Sequence, residues 1–202
     1  MEVLIVDNAP AHKDYNRPLE TAVERLNSCR RVDYREVAAD PTLVSYFGAV
    51  VLSGVPVTYG FETIEERTEH LQWVLQTEVP LLGICISHQS LGSVFGGTIM
   101  RNEAETGIVA LETVAEDPIF NGLPTRFQVA THHRASVTVP EDFLLLARTQ
   151  RCANQIMKHK ERLIYGIQFH PELPARRSGQ IILRNFLKQA VSQPPRSETL
   201  VY

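Results

Sequence analysis

The chain has 202 residues, 44% of them hydrophobic and 21% charged, with a formal net charge of −3 and a pI near 6.2. That size and composition fit one globular domain with a sizeable core, and the mixed, slightly acidic charge gives no footprint for nucleic acid or an anionic membrane. Cys29, Cys85 and Cys152 are odd in number, far apart and without a CxxC, so neither a disulfide framework nor a zinc site is expected, and a reducing, cytoplasmic setting is. The N-terminus carries no basic leader, and no apolar run reaches the length of about 18 residues that a membrane span requires.

Val3 to Val6 is a short continuous apolar run ending in Asp7-Asn8, the pattern of a strand buried on both faces of a parallel sheet. Leu19, Ala22, Val23 and Leu26 then predict a helix over about Pro18 to Cys29. Val32 to Val37 reads as a second strand and Ala49 to Leu52 as a third, stopped by Ser53-Gly54. A helix over about Thr63 to Thr77 directs Ile64, Leu71, Val74 and Leu75 inward, and Pro80 to Ile84 is a fourth strand running into Cys85. Alternating strands and helices argue for an α/β fold with a mainly parallel sheet. Beyond Gly97 the texture becomes β-like, in runs at Gly107–Thr113, Arg126–Thr131, Phe143–Ala147, Ile156–Lys158 and Leu163–Phe169. A last helix, about Gly179 to Val191, buries Ile181, Ile182, Leu183, Phe186 and Leu187. The expected domain covers 1–192, with 193–202 a loose tail.

Two segments carry the chemistry. In Leu82-Gly83-Ile84-Cys85-Ile86-Ser87-His88-Gln89, a buried strand breaks into a turn of small residues and a helix follows. This is the outline of a nucleophile elbow, in which the positions two before and two after the nucleophile must be small; Gly83 and Ser87 are. The helix N-terminus favours negative charge on the sulfur. A cysteine taken alone is more often inert core, and Cys29 and Cys152 are read so. In Tyr165-Gly-Ile-Gln-Phe-His170-Pro171-Glu172, strand alternation turns His170 and Glu172 to one side, where a carboxylate can orient the imidazole of a general base. A strand end with an incidental ion pair would account for His-x-Glu by itself.

The first segment resembles the Gly-x-Cys-x-Gly-x-Gln signature of class I glutamine amidotransferases, with Ser87 replacing a glycine, and the second resembles that family's His-Pro-Glu block. The resemblance runs from Val3 to about Leu187 and is nearest in texture to the glutaminase part of GMP synthetases. It implies a three-layer, flavodoxin-like α/β fold with a mainly parallel central sheet and extra β-hairpin elements in the C-terminal half. It also implies a Cys85, His170, Glu172 triad that hydrolyses L-glutamine through a γ-glutamyl thioester, without cofactor or metal, and passes ammonia to a separate synthase partner.

Val50-Val-Leu-Ser53-Gly54-Val55-Pro56 resembles the family's Ser-Gly-Gly-Pro loop, so the backbone amides of Val55 and Ile86, with Gly54 beside them, stand for the oxyanion hole. Val55 occupies a glycine position, and a β-branched residue resists positive φ. Gln89 and His133, the latter within Thr131-His-His-Arg-Ala135, stand where the family binds glutamine, with Ala135 in place of an acid. Neighbouring strand residues face opposite ways, so the His132-His133 pair does not suggest a metal. The same triad would also suit a stand-alone γ-glutamyl amide or peptide hydrolase; a non-enzymatic relative is the third reading.

Overall fold

The computed structural model describes residues 1–12, 14–55, 62–173 and 176–193. Pro56 of the oxyanion-loop motif, and all but the first residue of the expected tail, lie outside them. Nine strands form one sheet in the order β2-β1-β3-β4-β9-β8-β7-β5-β6. The first five are parallel: β2 (Cys29–Asp33), β1 (Val3–Asp7), β3 (Ala49–Leu52), β4 (Leu81–Ile84) and β9 (Ile164–Ile167). Four antiparallel strands continue the sheet: β8 (Ile156–His159), β7 (Phe143–Arg148), β5 (Ile99–Thr113) and β6 (Arg126–Val137). The hairpin elements expected in the C-terminal half are therefore part of the central sheet.

Strand alternation divides the core into two layers. Val3, Ile5, Val51, Leu82 and Ile84 pack with Leu19 and Val23 of α1 (Arg17–Glu24) and with Ile182, Leu183, Phe186 and Leu187 of α5 (Arg177–Val191). Leu4, Val6, Val50, Leu52 and Leu81 face the other way, onto Val37 of α2 (Tyr34–Ala39), Trp73, Val74, and Leu91 of α4 (Ile86–Val94). Burial of the parallel strands on both faces explains why their sequences are unbroken apolar runs.

Several boundaries differ from expectation. α1 stops at Glu24 and leaves Leu26 exposed, because Cys29 pairs with Val3 and opens β2. β2 ends at Asp33, whose carboxylate accepts the Arg35 N–H at 2.9 Å and caps α2, so the predicted strand from Val32 to Val37 is mostly helix. α3 (Glu62–His70) gives way to a 3-10 turn at Gln72–Leu75, which buries Trp73 and exposes Leu75. β5 and β6 form a far longer hairpin than the predicted runs, with its register broken between Arg101 and Glu105. In α5, Ile181 is only half-buried, while its predicted neighbours are buried.

Candidate active site

Three adjacent parallel strands end at the same edge of the sheet and each delivers one part of the site. β3 leads to Ser53-Gly54-Val55, β4 to Cys85 and β9 to His170. In open α/β sheets, ligands bind at the carboxyl ends of the strands.

Cys85 has φ 54° and ψ −105°, and among the described residues it is the only non-glycine at positive φ. Such strain persists only where the surroundings impose it. Here the Cys85 N–H donates to the Ile167 carbonyl at 2.8 Å, and its own carbonyl accepts the Gln89 N–H at 3.2 Å as α4 begins. Gly83 suits the close approach beneath the turn, since a Cβ there would lie a tight 3.0 Å from the Ser87 carbonyl oxygen. No side chain caps α4, whose positive dipole end begins at Cys85.

His170 is buried and its Nδ1 lies 2.7 Å from Glu172 Oε1. Burial disfavours the charged ring, but the Glu172 carboxylate and the neighbouring Cys85 together raise His170 well above the usual histidine range. The pairing does not come from strand alternation as predicted. β9 ends at Ile167, and the His170-Pro171-Glu172 turn brings the two side chains together. The His170 N–H is pinned to the Ala130 carbonyl of β6 at 3.0 Å.

Gly54 lies flat against this pair: a Cβ on it would approach His170 Cε1 to 2.7 Å. Val55 keeps negative φ, so the glycine-to-valine departure needs no left-handed backbone. It packs with Ile86, Ala9, Ile64 and Ala135. Its carbonyl accepts the Tyr15 hydroxyl at 2.8 Å. Burial raises the Tyr15 hydroxyl pKa, and the charges of Cys85 and Glu172 add to it, which keeps the phenol a donor.

Ser87 also has a partner set. Its hydroxyl donates to the Ser53 carbonyl at 2.7 Å and accepts from Asn8 Nδ2 at 2.9 Å. Asn8 further binds Ser53 through backbone and side chain, and Asn16 bridges Ser53 Oγ and Asp7. A buried polar lattice thus ties the Cys85 turn to the Ser53-Gly54-Val55 loop.

The two expected substrate residues are less exposed than their role suggests. Gln89 is buried, its Nε2 donating to the Ala135 carbonyl at 2.7 Å and to Gln168 Oε1 at 3.1 Å. His133 is engaged elsewhere than with Cys85, His170 and Glu172, with Nδ1 3.0 Å from the Ala135 carbonyl and Nε2 3.1 Å from Glu105 Oε2. The histidine of β6 beside Cys85 and His170 is His132: its carbonyl lies 3.8 Å from Cys85 Sγ, and its ring is held below the usual range by burial and then by His170. Ala135, which stands where an acid was expected, contributes its carbonyl, which accepts from Gln89 and meets His133.

Among the described residues, Glu105, His133 and Cys152 offer metal-ligand atoms within 4.8 Å of one another. Each is engaged in the protein. Glu105 also accepts from Thr149 and Gln155, and the Cys152 thiol, pushed up to about 12 by burial, donates to the Asn154 carbonyl. This internal cluster is separate from Cys85, His170 and Glu172. The roles of Tyr15, Asn8, Ser53, Glu105 and Gln168 escaped the sequence reading; Ser53 and Gln168 stood within the motif strings quoted there, and the other three carried no signal.

Residues 11–190 match the profile of the family described as Glutamine amidotransferase class-I. The chain therefore belongs to the class I glutamine amidotransferases and is a glutamine-hydrolysing enzyme. Curated relatives narrow the likeness. A GMP synthase (glutamine-hydrolyzing) subunit of Pyrococcus furiosus is 41% identical over 141 residues, covering 69% of this chain and 73% of the relative. The corresponding subunit of Methanothermobacter thermautotrophicus is 31% identical over 186 residues, covering 91% and 95%. A crystal structure of a Thermoplasma acidophilum protein, described as a candidate GMP synthase subunit, superposes with a TM-score of 0.82 at 27% identity over 95% of this chain and 94% of that one. A Thermotoga maritima glutamine amidotransferase shares the fold at 20% identity, with a TM-score of 0.71 over 96% and 99% of the two chains.

Proposed function

We propose that Cys85, His170 and Glu172 are the catalytic triad of a glutaminase chain that feeds ammonia to a separate GMP-forming synthase chain. The observation that carries this reading is the meeting of a strained strand-to-helix cysteine with a buried imidazole that a carboxylate holds at 2.7 Å. Cys85 thiolate attacks the side-chain carboxamide of glutamine, and the Val55 and Ile86 amides hold the resulting oxyanion. His170 gives its proton to the departing ammonia, leaving a γ-glutamyl thioester. Water, deprotonated by His170, then releases glutamate and restores the thiolate. Glu172 keeps the imidazole oriented and balances its charge. Gln89 borders the substrate, while His133 supports it from behind through the Ala135 carbonyl.

The separate synthase partner is supported by the relatives, each designated one subunit of GMP synthase. A reducing, cytoplasmic setting suits a reactive thiol among three free cysteines. Mixing the purified chain with a GMP-synthetase ATP-pyrophosphatase subunit tests the assignment. Glutamate release is expected to rise and glutamine-dependent GMP to form. Glutamine turnover indifferent to the synthase, with no GMP, would point to a stand-alone γ-glutamyl hydrolase.

A further inference from the structure

Gln168 stands between β9 and His170, fully buried, with its backbone N–H bonded to the Gln155 carbonyl at 2.9 Å. Its side-chain Nε2 lies 3.8 Å from Cys85 Sγ, and its Oε1 lies 3.1 Å from Gln89 Nε2. The direction of this amide is set by its neighbours. Gln89 Nε2 donates to the Ala135 carbonyl at 2.7 Å and to Gln168, so the end of Gln168 facing Gln89 must be the oxygen. The amine end is then left for the sulfur. Behind Ala135 the same carbonyl meets His133, which is anchored by Glu105, itself held by Thr149 and Gln155. One buried hydrogen-bonded chain therefore runs from Glu105 to the Cys85 sulfur.

The sulfur is coupled by charge to the His170 imidazole and the Tyr15 hydroxyl, and it has two further neighbours of opposite kind. As a thiol it donates to the His132 carbonyl at 3.8 Å. Once ionised it can only accept, and a carbonyl there becomes unfavourable. A buried amide N–H aimed at it then gains strength from the low local dielectric.

We propose that Gln168 is a further catalytic residue, whose side-chain amide donates to the Cys85 sulfur and holds negative charge on it before attack and as the thioester is hydrolysed. The role rests on the reading of Cys85 as the nucleophile. Gln89, by fixing the direction of the amide, is a positioning residue as well as a border of the substrate.

The test is the pH profile of Cys85 alkylation by iodoacetamide, a reaction that needs no glutamine, with peptide mass mapping to separate Cys85 from Cys29 and Cys152. Gln168→Leu and Gln168→Met keep most of the side-chain volume and remove the donor. Both are expected to move the midpoint of the profile to higher pH by about one unit. Gln89→Leu, which removes the group orienting Gln168, is expected to move the profile the same way, and it is read if neither Gln168 variant folds. Folded variants with the wild-type profile would overturn the proposal, even if their melting temperatures fall, since that would leave Gln168 a packing role only. An unchanged profile refutes Gln168 alone. Glutamate release surviving in Cys85→Ala would refute the triad itself.

Discussion

His170 is the group on which charge, burial and chemistry meet. Its folded pKa lies above the unfolded value of about 6.5, because Glu172 and Cys85 outweigh burial. A raised histidine contributes stability that is fully present below the unfolded value and is lost as pH rises through the folded one. Glu172→Gln is therefore expected to destabilise the protein by about 2 kcal/mol near pH 6 and by progressively less in the alkaline range. Urea midpoints of the two proteins, measured from pH 6 upward, check this; a gap that stays constant or widens with pH would contradict it. The identities of these residues were legible because Cys85 and His170 sit in strings whose chemistry is dense. The way His170 meets Glu172 was not. A proline-stiffened turn and two extended residues give the same spacing on paper, and only the end of β9 at Ile167 decides between them. The orientation of His133 was also hidden, since Glu105, its partner, is 28 positions away in sequence.

The elements around the site are tied by polar groups that local periodicity cannot report. Ser87 is the clearest case. Its hydroxyl joins α4 to the β3 loop through Ser53 and to the β1 loop through Asn8, contacts spanning 34 and 79 positions. Replacing it by alanine would leave the buried Ser53 carbonyl and Asn8 amide each short of a partner, so Ser87→Ala is expected to cost about 1–3 kcal/mol in thermal or urea unfolding. It should also lower glutamine turnover, because the loop carrying Val55 loses its link to the elbow. Unchanged stability would mean that Asn8 and Asn16 hold the loop alone. The parallel strands were legible as short apolar runs buried on both faces. α2 was missed although Asp33-Tyr-Arg-Glu36 has the form of a capping box, because the apolar run of Val32, Tyr34 and Val37 outweighed it. The full length of β5 and β6 was hidden by their irregular register and by the polar stretch from Arg101 to Glu105.

The sheet as a unit explains why the site forms where it does. β3, β4 and β9 lie side by side and parallel, so a loop, an elbow and a turn from distant parts of the sequence emerge at one edge. The antiparallel half buttresses that edge, with the Ala130 carbonyl holding the His170 backbone and the His132 carbonyl facing the sulfur. Fold class followed from the strand and helix alternation, whereas the merging of the C-terminal strands into the same sheet required the tertiary pairing of β8 with β9. The central claim is that this edge is a glutaminase centre whose nucleophile is Cys85. Glutamate release from L-glutamine by the purified chain and by Cys85→Ala, measured side by side in the presence of the synthase partner, tests it most directly. Release that disappears in Cys85→Ala, with the variant still folded, is the predicted result; release that persists would contradict the account.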